Sequence, residues 1–99
     1  MNFTVSQSVN HVNISICSDK FIDHLAFEFK KLLLRLPKQV EYILDFSKVK
    51  YMNSSGLGML LVLREYNGAD EIPIKLVNCR NSIRSELDRA CFHRLFTIT

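Results

Sequence analysis

Tyr51-Met-Asn-Ser-Ser-Gly-Leu-Gly-Met-Leu-Leu-Val-Leu63 is the stretch on which the reading of this chain turns. A pair of serines stands there between two apolar segments. Upstream, Ile43-Leu-Asp-Phe46 has the length and composition of a short buried strand, and Ser47 to Tyr51, with its Ser and Lys, reads as the turn after it. Downstream, Met59 to Tyr66 contains no helix breaker and is expected to form a mostly buried helix. Asn53 and Ser54 are both N-cap types, with Ser54 expected to commit its oxygen to a backbone N–H. Gly56 leaves the first turn without a side chain. Ser55 is therefore expected beside free N–H groups at the positive end of a helix dipole, where an added phosphate meets favourable electrostatics. Such a site is suited to carrying a removable charge.

Working outward, the elements alternate without a linker, repeat or low-complexity tract. Phe3 to Val9 and Val12 to Ile16 alternate apolar and polar residues, and with Asn10-His11 between them they read as a hairpin. From Phe21 to Leu36 a helical stripe collects Phe21, Leu25, Phe29, Leu32 and Leu36, with Pro37 as the stop. A strand is expected through Val40 to Phe46. Asn67-Gly68 ends the second helix, since Gly accepts a left-handed conformation. Pro73 precedes a strand over Ile74 to Val77, and Ile83, Leu87 and Ala90 mark the inner face of a third helix. Strands joined by crossover helices imply parallel neighbours added to the N-terminal hairpin. The fold class is thus α/β, a mixed β-sheet with helices mainly on one face. The expected core holds Leu25, Phe29, Leu32, Ile43, Leu44, Leu60, Leu63, Leu76 and Leu87.

The pattern Asp45-Phe-Ser-x-Val-x-Tyr-Met-Asn-Ser-Ser-Gly-Leu-Gly58, followed by an apolar helix, resembles the STAS domain of bacterial anti-sigma factor antagonists. The resemblance extends to Lys20-Phe21 through Phe29-Lys-Lys31, to Lys75-Leu-Val-Asn-Cys79, to Asn81 through Ala90 and to Phe92 through Ile98. It implies a single STAS domain over residues 1–99 with a STAS-like mixed sheet, and it makes the second serine, Ser55, the phosphorylation site. Two positions depart from the pattern. Asn53 stands where many members place Asp, and Ile22, flanked by Asp19 and Asp23, stands where an acidic residue is common before the first helix.

Composition narrows the remaining classes. With 99 residues and 47% hydrophobic content the chain suffices for one core. No apolar run approaches the roughly 20 residues of a membrane span, and Met1-Asn-Phe-Thr-Val lacks a signal-peptide layout, so a cytoplasmic protein is expected. Cys17, Cys79 and Cys91 form no CxxC and no framework, and read as free thiols. Cys91 and His93, without a second pair, make a poor metal site. Thirteen Lys and Arg against ten Asp and Glu is too slight and scattered an excess for nucleic-acid binding. Lys48 and Lys50 flank the turn before the serines, as a solvated loop or as steering charges.

No enzyme motif fits. Gly56-Leu-Gly58 has neither a Walker lysine nor a third glycine, Ser55 lacks the Gly-x-Ser-x-Gly elbow, and no cofactor is implied. Asp45 is expected to cap its turn through Ser47 or Lys48. The resemblance implies a phosphorylation-controlled binding switch instead. Unmodified, the chain would bind an anti-sigma factor or another kinase-fold regulator through Asn53, Ser54, Ser55, Gly56, Leu57 and Gly58. A serine kinase would mark Ser55 and a metal-dependent phosphatase would clear it. Gly56 and Gly58 either let the helix start approach the sheet closely or leave bare backbone for the partner, and the second is expected, since helix-interior Gly costs about 1 kcal/mol against Ala. STAS domains also serve as regulatory subunits of membrane transport systems, which is the alternative function.

Overall fold

The computed structural model describes residues 2–99. In chain order it contains β1 (Phe3–Gln7), β2 (His11–Ile16), β3 (Lys20–Phe21), α1 (Asp23–Leu33), β4 (Glu41–Asp45), β5 (Tyr51–Met52), α2 (Ser54–Tyr66), β6 (Ile74–Val77), α3 (Asn81–Arg89), a 3-10 turn at Phe92–Arg94 and β7 (Thr97–Ile98). The main sheet has the order β1-β2-β4-β6-β7. Its first pair is the antiparallel hairpin expected from the alternation, with Phe3 opposite Ile16 and Gln7 opposite Val12. Every later pair is parallel. Each parallel step moves the same way across the sheet, so right-handed crossovers place the connecting helices on one face.

That face is the core. Val12, Ile14, Ile16, Tyr42, Leu44, Ile74 and Leu76 are buried on it and join Leu25, Phe29, Leu33, Leu60, Leu63, Ile83 and Leu87 from the helices. Ile14, Leu44 and Leu76 sit in register as one row across three strands. Phe21 closes the upper end, edge-on to Phe29 (centroids 5.6 Å apart) and to Phe46 (6.3 Å). Such pairs contribute about 0.5–1.5 kcal/mol each beyond their buried area. Alternate residues of the strands, Asn13, Ser15, Ile43 and Asp45, are only half-buried, because the opposite face carries no helical layer.

Several expectations shift for this reason and for local ones. Ile43 and Leu32 are half-buried rather than core, and Leu33 takes the inward position assigned to Leu32. Phe21 is buried from a strand, not from the helix. The first helix stops at Leu33, before Pro37, as Arg35 and Leu36 donate to the Leu32 and Leu33 carbonyls in tighter i to i+3 bonds. Leu36 still reaches the core from that turn. Val9 lies in the hairpin turn, 93% exposed, outside the strand expected to include it. Gly68 is left-handed (φ 94°), as the end of α2 requires.

Asn67, just past α2, is the one fully buried polar side chain among the described residues. Its amide donates to the Val40 carbonyl (2.7 Å) and accepts from the Val40 N–H (3.1 Å). The side chain thus behaves as a further strand partner and ties α2 to the start of β4. Substituting Asn67→Ala leaves both Val40 groups unpaired and is expected to cost about 1–3 kcal/mol. Phe29→Ala, which opens a cavity beside the Phe3 and Phe21 rings, is expected to cost about 3–5 kcal/mol. Urea midpoints indistinguishable from wild type for both variants would contradict this packing.

Candidate functional site

Two small strands set the geometry of the serine pair. β3 and β5 run parallel, Lys20 beside Tyr51 and Phe21 beside Met52. The Lys50 and Tyr51 N–H groups both donate to the Asp19 carbonyl (2.7 and 3.0 Å) and hold the approach to this pair. After each strand comes one extended residue, Ile22 (φ −133°) and Asn53 (φ −112°), and then a helix. The matched register therefore brings the N-termini of α1 and α2 side by side.

Asn53 is the cap of α2, and Ser54 is not. The Asn53 Oδ1 accepts from the N–H groups of Ser55 (3.1 Å) and Gly56 (3.3 Å). Ser54 is the first helical residue and its side chain is exposed. Two of the N–H groups expected to be free at this terminus are thus already occupied by the cap, though the positive end of the dipole remains.

With Oδ1 turned to the helix, the Asn53 Nδ2 faces α1 and donates to Asp23 Oδ1 (3.0 Å). The half-buried Ser55 donates its Oγ–H to the same oxygen (3.0 Å). These hydrogen bonds, Asn53's first and Ser55's second, hold the Asp23 carboxyl below its ordinary range. The carboxylate missing at position 53 is therefore supplied across the helix pair by Asp23. It escaped the sequence reading, which noted it only as a flank of Ile22. An aspartate at 53 would instead turn an oxygen toward Asp23, so the amide at one position and the acid at the other fit together.

The two glycines differ. A Cβ at Gly56 would lie 2.4 Å from the Phe21 carbonyl oxygen and 2.7 Å from Met52 Cγ. Gly56 is buried against β3 and β5 and serves packing, contrary to the expectation of bare backbone for a partner. A Cβ at Gly58 would meet nothing within 4 Å, and this glycine does leave open surface. Leu57 is half-buried and packs on the core edge, while Ser54 projects outward.

With strands, crossovers and this turn in place, a STAS domain family model matches residues 2–99. The chain belongs to the STAS domain family. It is 40% identical over 58 residues to a STAS-domain containing protein of Pseudomonas aeruginosa (strain UCBPP-PA14), a stretch covering 59% of this chain and 57% of that relative's length. The structure of the anti-sigma factor antagonist SpoIIAA in its unphosphorylated form superposes with a TM-score of 0.75, over 98% of this chain and 87% of that one, at 17% identity. At that identity the likeness concerns the fold, and the mixed five-stranded sheet with three helices is the STAS fold.

Other candidates in this STAS domain lie apart from the serines. Asp45 closes its turn as expected, accepting from the Ser47 N–H (2.9 Å) and also from Asn78 Nδ2 (3.1 Å). Burial works to raise its pKa, but these hydrogen bonds prevail and hold it low. Cys79 is half-buried and its thiol is pushed up to about 11 by burial, Cys17 is half-buried, and Cys91 is exposed. Among the described residues no three His, Cys, Asp or Glu side chains gather as a metal site, and no helix is long and apolar enough to cross a membrane. Lys48 and Lys50 are both exposed, and among the described residues neither has a carboxylate partner within salt-bridge distance.

Asp23, depressed in the folded state, contributes stability above its unfolded pKa that is lost as pH falls through the folded value. Asn53→Asp keeps the capping oxygen but exchanges a donor for an anion, so the Asp23 carboxyl is expected to titrate higher in an NMR pH series; an unchanged Asp23 titration would contradict the contact. Gly58→Ala, at an open helical position, is expected to stabilise by about 0.5–1 kcal/mol, whereas Gly56→Ala should destabilise. Denaturation of the two variants, compared with wild type, reads that difference in sign directly.

Proposed function

We propose that this STAS domain is a cytoplasmic, phosphorylation-controlled binding switch that acts as an anti-sigma factor antagonist rather than as an enzyme. Unmodified, it binds an anti-sigma factor or a related kinase-fold regulator through the surface around Asn53, Ser54, Ser55, Leu57 and Gly58. A serine kinase, in such systems often the partner itself, transfers phosphate to Ser55, and a metal-dependent phosphatase removes it. The observation that carries this reading is the Ser55 hydroxyl at the meeting point of two helix N-termini, its proton already directed to Asp23 Oδ1 at 3.0 Å. Phosphoryl transfer needs the attacking hydroxyl oriented and its proton accepted. Asp23 orients that hydroxyl before any kinase arrives.

The electrostatics favour a switch in which phosphate repels. A phosphoserine adds about −1.5 to −2 charge and three acceptor oxygens. At Ser55 it would replace a donated proton with an anion beside the Asp23 carboxylate. No Lys or Arg side chain hydrogen-bonds Ser55 or Asp23 among the described residues, and the Ser55 and Gly56 N–H groups are committed to Asn53. The dianion would thus face the partner without local neutralisation, and burying it in a close interface opposes binding. The helix dipole still tolerates the charge, by about 0.3–1 kcal/mol, so the domain stays folded. The paired serines favour this role over that of a transport-system subunit.

Calorimetric titration of the kinase-fold partner with three variants tests the reading. Ser55→Ala should bind as unmodified protein does. Ser55→Asp should bind at least tenfold more weakly, about 1.4 kcal/mol, and the phosphorylated domain more weakly still, with an unchanged circular dichroism spectrum. Equal affinity of the Ala and Asp variants, or unfolding on phosphorylation, would remove the mechanism.

A further inference from the structure

The outer face of α1 and the turn after it are built unlike the rest of the surface. Phe27 is 60% and Leu34 69% exposed, and with Lys31 they follow the i, i+4, i+7 spacing that places side chains on one helix face. Lys30, Arg35 and Lys38 flank them, all exposed. Residues 27–38 thus hold four cations against the single carboxylate of Glu28, an excess of three, equal to the formal excess of the whole chain. The rest of the chain is balanced. Glu28 is drawn aside by Asn2, whose Nδ2 donates to both carboxylate oxygens (3.4 and 3.3 Å). None of the four cations has a carboxylate partner among the described residues. Lys31 lies over the Phe27 ring (4.8 Å) and Lys38 over that of Tyr66 (4.9 Å).

Complementing the dipole at the end of α1 accounts for Lys30 and Lys31. It accounts for neither the exposed Phe27 and Leu34 nor the further cations Arg35 and Lys38. Exposed apolar anchors ringed by unpaired cations match a partner with an apolar stripe bordered by carboxylates. A protein segment fits better than a lipid surface. Only Phe27 and Leu34 stand exposed on a helix whose Leu25, Ala26, Phe29 and Leu33 are buried, too little apolar surface for firm insertion into a bilayer. A carboxylate on a protein, by contrast, can pair with Lys31 while the Phe27 ring packs.

We infer that this face is a second docking surface, separate from the serine turn, for an acidic amphipathic helix of another protein. Phe27 and Leu34 pack into its apolar stripe, and Lys30, Lys31, Arg35 and Lys38 pair with its flanking carboxylates. The surface does not depend on the state of Ser55.

The test uses the full chain, 15N-labelled, and a synthetic 18-residue amphipathic helix with Leu at positions i, i+3, i+4 and i+7 and Glu on both flanks. Its counterpart carries Lys in place of Glu. Amide shifts on adding the Glu peptide are expected between residues 27 and 38, with affinity falling as salt rises. The double variants Lys31→Glu/Arg35→Glu and Phe27→Ser/Leu34→Ser, all at exposed positions, should each lose at least tenfold with wild-type spectra elsewhere. Ser55→Asp should bind the peptide as wild type does, which separates this surface from the switch. Equal binding of the Lys peptide, shifts centred outside residues 27–38, or binding to vesicles containing phosphatidylserine without binding to the Glu peptide would overturn the assignment.

Discussion

A missing side chain lets the two helices of this domain begin together. Gly56 presses its α-carbon against the Phe21 carbonyl so closely that a methyl group there would sit 2.4 Å from the oxygen. That approach allows β3 and β5 to lie in register and α1 to start level with α2. From that alignment follow the bridge from Asn53 and Ser55 to Asp23, the exposure of Ser54, and the open surface at Gly58. The large core beneath sets stability, but this one contact between a glycine and a backbone carbonyl sets the position of the hydroxyl.

The arrangement also supports one kind of phosphate switch over another. Phosphoserines that order a structure do so by meeting arginines or vacant N–H groups. Here the cap has already taken the nearest N–H groups, and the nearest side chain is an acid held in its charged form. Such a site offers an added phosphate no arginine, and the Ser55 and Gly56 N–H groups of its own helix are taken, so its charge acts outward. The four cations on the outer side of α1 belong to a different surface, and none of them hydrogen-bonds Ser55 or Asp23.

Much of this was legible in the residues, for identifiable reasons. Period-two alternation in β1 and β2 reports a sheet with one buried face, and Ile74 to Val77 is short, apolar and bounded by Pro73, so its ends came out as expected. The same alternation inside β4 was obscured by Ile43, an apolar residue on the open face. The two-residue strands β3 and β5 carry no periodicity at all, and they are visible only once the chain has folded. Asp23 stayed hidden for that reason, since its meeting with Asn53 and Ser55 spans about thirty positions and is made by tertiary pairing. Asn53 and Ser54 are both good caps by type, and backbone geometry chose between them. Gly56 and Gly58 look alike in sequence, yet one faces β3 and the other solvent.

The central claim is that Ser55 carries the removable charge, in a position where Asp23 orients its hydroxyl and Ser54, though more exposed, lacks that contact. Phosphopeptide mass spectrometry of the protein isolated from its own cells, with fragment ions that separate the adjacent serines, addresses this most directly. Phosphate on Ser55, reduced in an Asp23→Asn strain, is the expected result. Phosphate confined to Ser54 or to another residue would contradict it.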